Sequence, residues 1–255
     1  MIFFVFILGA IFASFIHLYV IRILRKESIV TPRSHCDNCN HTLKWYELVP
    51  LVSFIALRGR CHVCKEKIGY SSILSEIFLG LSFTIVYLIY GYSYETLIGF
   101  VLASTLLAVA ISDFKEMIIL DSTLVTSIVL SYILIFLGFG LRGIYKSFLY
   151  GIFGFVLFFL VKLIGDRVYK KESLGGGDVK LAFLMGSILP YNLFLISIII
   201  GSLFALPYAF LMAKSKKKEL PFGPFLVLGL FVVFLFKNNI SELINSILII
   251  EKIFF

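Results

Sequence analysis

The sequence predicts an all-α polytopic membrane protein, with about eight transmembrane helices and a small cytoplasmic zinc-binding domain between helices 1 and 2. The chain of 255 residues is 60% hydrophobic, and its mean hydropathy is +1.02. Only 15% of its residues are charged, against about 25% in an ordinary soluble domain. Long apolar segments of this kind are typical of membrane-spanning helices.

Eight apolar segments are predicted to span the membrane. We expect the first to be retained, because it lacks the basic start and the cleavage site of a signal peptide. A loop with Arg142 and Lys146 is expected between the fourth and fifth segments, and the tail 240–255 is amphipathic and is not counted. The predicted spans are 1–21, 71–90, 96–112, 119–138, 147–165, 179–190, 192–213 and 222–236.

The basic residues predict the orientation. Of the 23 lysines and arginines, 18 fall in the loops 22–70, 113–117, 166–180 and 214–218. Because cytoplasmic loops are enriched in basic residues, these loops are expected on the cytoplasmic side. The net charge of +8 is then explained by topology. We therefore expect contact with membrane lipid and none with nucleic acid.

The polar stretch 25–70 contains all four cysteines, as the pairs Cys36-x-x-Cys39 and Cys61-x-x-Cys64. Two such pairs about twenty residues apart fit a structural zinc site with four thiolate ligands. Two disulfides or four free thiols are the alternatives, and disulfides would require an oxidising compartment. The predicted domains are a first helix (1–24), the cysteine domain (25–70) and a membrane domain (71–255).

A run of three glycines at 175–177 precedes Asp178, and an apolar segment follows. Glycine permits unusual backbone conformations and weakens a helix. We therefore expect an irregular turn that delivers Asp178 to the membrane edge. A helix N-cap is the simpler interpretation, because Asp is favoured there.

Asp113, at the end of the third predicted span, is expected at the same cytoplasmic depth as Asp178. Two carboxylates that share a site do not easily both ionise, so the pair would retain a proton. One could then activate a water while the other donates a proton to a scissile carbonyl. Alternatively, the two are unrelated interfacial residues, as Asp121 and Asp166 would be.

In chain order, these motifs resemble those of the type IV prepilin peptidases, a family of membrane aspartic proteases with a Gly-x-Gly-Asp motif. The resemblance spans nearly the whole chain, and its specificity comes from the motifs occurring jointly. The matching stretches are 9–15 (GAIFASF), 32–39 (PRSHCDNC), 45–50 (WYELVP), 59–64 (GRCHVC) leading into Glu76, Asp113, 175–180 (GGGDVK) and 221–225 (PFGPF).

The resemblance implies that Asp113 and Asp178 are catalytic and that the four cysteines belong to the family's zinc-binding loop. Substrates would be prepilins or pseudopilins of pilus, secretion or DNA-uptake systems, cleaved at the cytoplasmic face of the bacterial inner membrane. Many members also methylate the new N-terminus with S-adenosylmethionine, an activity associated with the cysteine domain. The sequence departs from the family at 119–121, Ile-Leu-Asp, where a proline is common.

Three further interpretations remain beside this one. Glu47, Glu76 and Asp121 are candidates for contacting the basic leader, although each could equally be an ordinary solvated or interfacial carboxylate. The protein could also be a methyltransferase or assembly factor without peptidase activity, or a metal-stabilised transporter or scaffold. A transporter should have paired broken helices in related halves, whereas one glycine-interrupted site is apparent here.

Overall fold

A computed structural model of the protein describes residues 1–36, 38–214 and 220–254. Over these residues the regular structure is helical, and extended pairing is limited to two isolated bridges in the cysteine segment. The all-α prediction is confirmed. The chain divides into two compact units, Met1–Thr96 and Leu97–Phe255. The three-part division at 1–24, 25–70 and 71–255 stays a prediction.

The first unit consists of two long helices and the polar segment that connects them. The helices are α1 (Ile2–Leu24) and α3 (Tyr70–Tyr90), and the segment contains a 3₁₀ turn (Trp45–Glu47) and the short α2 (Val52–Ala56). α1 and α3 pack closely at Gly9 and Gly80. A Cβ atom on Gly9 would lie 2.7 Å from the carbonyl oxygen of Leu79. Small residues allow such close approach between membrane helices.

Arg22 fixes the chain where α1 ends. Arg22 is buried. Its guanidinium donates hydrogen bonds to the carbonyl oxygens of Ser28 (3.1 Å), Ile29 (2.9 Å) and Pro32 (2.8 Å). Three carbonyl partners satisfy much of the donor capacity of a guanidinium group. The start of the cysteine segment is therefore tied to the last turn of α1.

The second unit consists of most of α4 and the five helices that follow it. Leu181, Leu184 and Met185 of the sixth helix are fully buried, so this helix lies in the interior of the unit. The glycine-mediated contacts of Gly154 with Ala182, and of Gly186 with Tyr150, bring it close to the fifth helix. The helices are α4 (Tyr94–Glu116), α5 (Asp121–Tyr169), α6 (Gly176–Ile188), α7 (Tyr191–Lys214), α8 (Gly223–Leu235) and α9 (Lys237–Phe254).

The prediction of a loop at Arg142 and Lys146 is wrong, because the interruption of the helix is limited to one residue. The fourth and fifth predicted spans join in the 49-residue α5, and the break between them is Gly140, with φ 65° and ψ −162°. Glycine adopts a positive φ at little cost, so one residue interrupts the helix. Arg142 and Lys146 lie in the helical segment after that break.

Five helices among the described residues are long and apolar enough to cross a membrane: α1, α3, α4, α5 and α7. A sixth span would result if α8 and the start of α9, which are bent by 73°, were counted as one. α6 and α8 have 13 residues each, or about 20 Å, shorter than a hydrocarbon core of about 30 Å. The protein is thus an integral membrane protein, while the count of eight spans is not confirmed. The predicted basic loop 214–218 lies, beyond Lys214, outside the described residues.

Candidate functional site

The four cysteines of the first unit lie together, as predicted. Their Sγ atoms are all within 4.8 Å of one another, and the Cys36–Cys64 and Cys39–Cys61 pairs are 3.8 and 3.9 Å apart. Sulfurs bound about 2.3 Å from one zinc ion in a tetrahedron lie about 3.8 Å apart. The same distances exceed a disulfide bond of about 2.05 Å. The cluster therefore fits a metal site with four thiolate ligands.

Both cysteine pairs are presented by the same kind of turn. The N–H of Asn40 donates to the carbonyl oxygen of Cys36 (2.9 Å), and the N–H of Lys65 donates to that of Cys61 (3.1 Å). Asn40 and Lys65 both have positive φ, 55° and 59°. Two equivalent turns thus direct four sulfurs to one point.

The pKa of the Cys61 thiol is lowered, which favours its thiolate form. Hydrogen bonds from the backbone N–H groups of Cys64 and Val63 lower the pKa of Cys61 to about 6. The thiolate is the form that binds metal. The backbone of the second turn therefore favours the thiolate of Cys61. At Cys39 the backbone hydrogen bond from His41, which lowers the pKa, is outweighed by burial and by hydrogen bonds to the other three thiols, and the pKa is raised to about 11.

Two buried glutamates lie in the same unit. Glu47 Oε2 accepts a hydrogen bond from the N–H of Lys44 (2.7 Å) and lies 3.2 Å from Nε2 of His41. The Lys44 N–H, helped by His41, lowers the pKa of Glu47. Glu76 accepts from the N–H of Leu51 (2.8 Å) and from Ser72 (3.3 Å). Glu76 thereby ties α3 to the backbone just before α2.

Asp113 lies near the end of α4 and is 5% exposed. Its Oδ2 accepts a hydrogen bond of 3.1 Å from the backbone N–H of Gly223, the first residue of α8. A Cβ atom on Gly223 would lie 3.0 Å from that oxygen and 2.8 Å from Cδ1 of Ile119. Only glycine therefore permits this approach without a shift of its neighbours.

Asp178 lies in the first turn of α6 and is 9% exposed. The expected irregular turn is shorter than predicted, because Gly176 and Gly177 already belong to the helix and the N-cap is Gly175. A carboxylate in the first turn is stabilised by the partial positive charge of the helix N-terminus. Because the N-cap is Gly175, three residues before Asp178, the interpretation of Asp178 as the N-cap is wrong.

Ile119 lies beside two glycines, each of which adjoins or binds one of the two aspartates. A Cβ atom on Gly177, which precedes Asp178, would lie 2.9 Å from Cβ of Ile119. Ile119 also contacts Gly223, which binds Asp113, and the charge of Asp113 acts on Asp178. The structure thus brings the two predicted residues into one buried region, and their catalytic roles stay a prediction.

A lysine that was not part of the predicted motifs binds the segment just before the three glycines at 175–177. Lys162 of α5 donates hydrogen bonds to the carbonyl oxygen of Leu174 (2.6 Å) and to Glu172 (2.7 Å). Asp166 accepts from the N–H and the hydroxyl of Ser173, at 2.7 and 2.8 Å. In the sequence, the i, i+4 spacing of Lys162 and Asp166 could have indicated that these two side chains lie on one face of α5.

Asp121, a candidate for contacting the leader, is paired within the protein. Its two carboxylate oxygens lie 2.6 and 2.8 Å from Nζ of Lys180. Both side chains are more than half exposed. Asp121 therefore has an ordinary surface partner in this structure.

The chain matches two protein-family models. The one described as the bacterial peptidase A24 N-terminal domain matches residues 7–90, which include the four cysteines. The one described as the type IV leader peptidase family matches residues 100–210, which include Asp113 and Asp178. No solved structure matches the chain significantly.

Curated relatives have corresponding names. A type 4 prepilin-like proteins leader peptide-processing enzyme of Escherichia coli is 31% identical, over 80% of this chain and 76% of its own length. Proteins named prepilin leader peptidase/N-methyltransferase include that of Bacillus subtilis (29% identical, over 92% of this chain and 94% of its own). That of Myxococcus xanthus is 33% identical over 74% of this chain, which spans only 56% of the relative's length. The resemblance seen in the motifs is confirmed, and the chain belongs to the type IV leader peptidase family.

Proposed function

We propose that the protein is a membrane-embedded aspartic endopeptidase that removes the basic leader peptide from type IV prepilins or pseudopilins. The observation that carries the proposal is that Asp113 and Asp178 are both buried in the second unit, and that Ile119 lies beside both Gly177, which precedes Asp178, and Gly223, which donates a hydrogen bond to Asp113. The names of the relatives, which refer to prepilin leader processing, support the substrate class.

The chemistry needs one ionised and one protonated aspartate. The carboxylate takes a proton from a water, whose oxygen attacks the scissile carbonyl carbon, while the carboxylic acid donates a proton to the carbonyl oxygen. When the C–N bond breaks, its electron pair and a proton go to the leaving amine nitrogen. One proton shared between the two aspartates is favoured, because two carboxylates in one site do not easily both ionise and burial disfavours the charged form.

We place the reaction at the cytoplasmic face of the bacterial inner membrane. The loops that adjoin both aspartates, 113–117 and 166–180, are among those that hold 18 of the 23 basic residues, so the positive-inside rule favours this side. A substrate with a basic leader and an apolar helix would place its cleavage site at the same depth. This position agrees with aspartates at the ends of α4 and α6.

We further propose that the metal bound by the four cysteines is zinc and that it is structural. The sulfur distances fit tetrahedral coordination, and four thiolate ligands leave no open position for a water or substrate. The ion would connect two segments of the polar stretch that lie 22 or more residues apart. Its contribution would be folding free energy.

A second activity is proposed from the names of the relatives, several of which are called peptidase/N-methyltransferase. The protein would methylate the amine that cleavage exposes. S-adenosylmethionine supplies a methyl group on a sulfonium sulfur for such a reaction. The chain would have to bind this donor and hold the new amine within reach of it.

Cleavage of a purified prepilin-like substrate tests the peptidase proposal. We expect Asp113→Asn and Asp178→Asn each to abolish cleavage, because either change removes one member of the acid–base pair. Glu116→Gln, an exposed carboxylate at the end of the same helix as Asp113, is the matched control and should cleave normally. Thermal unfolding of each variant shows whether the fold is retained.

Normal cleavage by either folded aspartate variant would remove that residue from catalysis. If methylation of a pre-cleaved substrate persisted while the wild type failed to cleave any prepilin, the protein would be a methyltransferase without peptidase activity. The two activities must therefore be measured separately.

A further inference from the structure

The polar segment between α1 and α3 has an apolar outer surface on its 3₁₀ turn and on α2, which pack against each other. Its large apolar and aromatic side chains are exposed, up to 77% at Trp45. Exposed apolar side chains that are grouped in this way commonly mark a surface that meets a membrane or another protein. The members of this surface, called the apolar face below, are Trp45, Tyr46, Leu48, Val52 and Ile55.

The opposite side of α2 is apolar as well. The ring of Phe54 lies against that of Tyr70, with their centroids 5.8 Å apart. Val52 and Ile55 are three positions apart, so they share the outer side of the helix. A helix that borders water normally presents polar side chains there, whereas a helix that is apolar all round is buried. The outer side of α2 therefore fits an apolar medium better than water.

Two contacts place α2 beside the first two turns of α3. The N–H of Leu51, just before α2, donates a hydrogen bond of 2.8 Å to Glu76 of α3. Phe54 lies against Tyr70, the first residue of α3. Six positions separate Tyr70 from Glu76, or about 9 Å of helix. The 21 residues of α3 span about 31 Å, close to a hydrocarbon core of about 30 Å. α2 therefore lies at the depth of one membrane surface.

The outer side of α3 is apolar from the same depth onward. Leu74 is 63% exposed, and Ile77 and Phe78 are exposed as well. Because α3 is long and apolar enough to cross a membrane, these side chains contact lipid. The apolar face thus continues, at the membrane edge, the lipid-contacting surface that α3 already provides.

The charges around the apolar face match a lipid surface. Lys44 precedes it, and Arg58 and Arg60 follow α2, all three in exposed positions. Glu47, the only carboxylate of the sequence between Lys44 and Arg60, is buried and accepts a hydrogen bond from the Lys44 N–H. Anionic headgroups attract lysine and arginine near the membrane surface, and tryptophan and tyrosine are enriched at that depth.

We propose that the apolar face enters the lipid bilayer, with Trp45, Val52 and Ile55 in contact with the acyl chains. The occupant of this surface is phospholipid, and the basic residues on either side bind anionic headgroups. The contact gives the first unit a third attachment to the membrane beside α1 and α3, and it holds the cysteine segment at the membrane surface. The inference does not rest on the proposed peptidase or methylation activity.

The fluorescence of Trp45 tests the proposal in the full-length protein, reconstituted into vesicles of phosphatidylcholine and phosphatidylglycerol. Trp45 is the only tryptophan of the chain, so its emission reports on this face alone, and Trp45→Phe gives the background. We expect emission shifted to the blue of that of the unfolded protein, and loss of most of it when brominated phosphatidylcholine is used. Bromines near the headgroup end of the chain should quench more than bromines near its methyl end, because interfacial segments enter only about 5–10 Å.

A polar substitution on the outer side of α2 should weaken the contact. We expect Ile55→Gln to reduce the quenching of Trp45 by brominated lipid and to shift its emission to the red. Val63→Gln is the matched control, because Val63 is also an exposed apolar residue of the same unit but lies in the second cysteine turn. It should be quenched as the wild type is. Metal content shows whether the cysteine segment of each variant is folded.

A wild-type protein whose Trp45 emits as in water and is not quenched by brominated lipid would overturn the proposal. If added prepilin then shifted the emission to the blue, the apolar face would be a surface for substrate and not for lipid. Equal loss of quenching in Ile55→Gln and Val63→Gln would also overturn it, because the effect would not belong to this face. Prepilin cleavage is measured on the same preparations, so failure of the lipid contact is distinguishable from failure of the peptidase proposal.

Discussion

The ammonium group of Lys162 donates a hydrogen bond of 2.6 Å to the carbonyl oxygen of Leu174. Leu174 directly precedes Gly175, the N-cap of α6, so the last part of α5 fixes the point from which α6 starts. The charge of Lys162 also acts on Asp178. Lys162 is thus a positioning residue for the loop that delivers Asp178.

Lys162→Met should lower the kcat for prepilin cleavage by about tenfold to a hundredfold, with little change in KM. The reason is that a displacement of about 1 Å at a reacting group can cost that much, while the substrate-binding surface is retained. Lys162→Arg should recover part of the rate, since a guanidinium can donate to the same carbonyl. Steady-state kinetics on all three proteins measure this.

Lys171→Met is the matched control, because Lys171 is an exposed cation in the same loop region. An equal fall in rate for both methionine variants would mean that general positive charge matters and that the Leu174 contact does not. A rise in KM alone would assign Lys162 to substrate binding.

The glycines before Asp178 differ sharply in their surroundings. A Cβ atom on Gly177 would lie 2.9 Å from Cβ of Ile119, whereas one on Gly176 would meet no atom within 4 Å. Gly177→Ala should therefore displace Asp178 and reduce cleavage by at least about tenfold. Gly176→Ala should cleave normally and be more stable by up to about 1 kcal/mol, because alanine favours a helix over glycine.

Thermal unfolding and initial cleavage rates on the two alanine variants test this difference. Each is the other's control, since the substitution is chemically identical and one residue apart. Similar loss of activity in both would show that backbone flexibility, and not the contact with Ile119, is what the glycine run provides.

The features that could be predicted from the sequence are those for which the residue types alone allow few structural or chemical roles. Two cysteine pairs at this spacing have few structural uses, and their sulfurs indeed lie within 4.8 Å of one another. Asp113 and Asp178 stood out because carboxylates are rare beside membrane segments. Composition was likewise enough to predict an all-helical membrane protein.

The contacts between distant parts of the chain were not predictable in the same way. The bond from Gly223 to Asp113 joins residues 110 positions apart, and a backbone donor leaves no mark in side-chain chemistry. The loop predicted between 138 and 147 was too long, because Gly140 alone interrupts α5. Polar residues between two apolar segments do not by themselves show how far the backbone departs from the helix.

The cysteine cluster should bind about one metal ion per chain, and Cys61→Ser should lose most of it. Removing one thiolate breaks a four-ligand site, and metal binding there contributes folding free energy. We expect the variant to have a lower unfolding temperature and to respond less to a chelator. Elemental analysis and thermal unfolding of purified protein measure both effects.

Val63→Ala is the control for the metal prediction, because Val63 lies between Cys61 and Cys64 but is 56% exposed. Its backbone N–H, which acts on Cys61, is retained. Wild-type metal content in Cys61→Ser would exclude Cys61 as a ligand.

The ion pair of Asp121 and Lys180 should contribute little. Asp121 is 67% exposed and Lys180 is 53% exposed, and exposed pairs typically add about 0–1 kcal/mol that salt reduces further. We therefore expect Asp121→Asn and Lys180→Met each to lower the free energy of unfolding by less than about 1 kcal/mol. Because Asp121 is already paired, the KM for a substrate with a basic leader should not change in Asp121→Asn. Cleavage kinetics at low and at physiological salt measure this, and a KM that rises in Asp121→Asn at low salt only would instead assign Asp121 to the recognition of the leader.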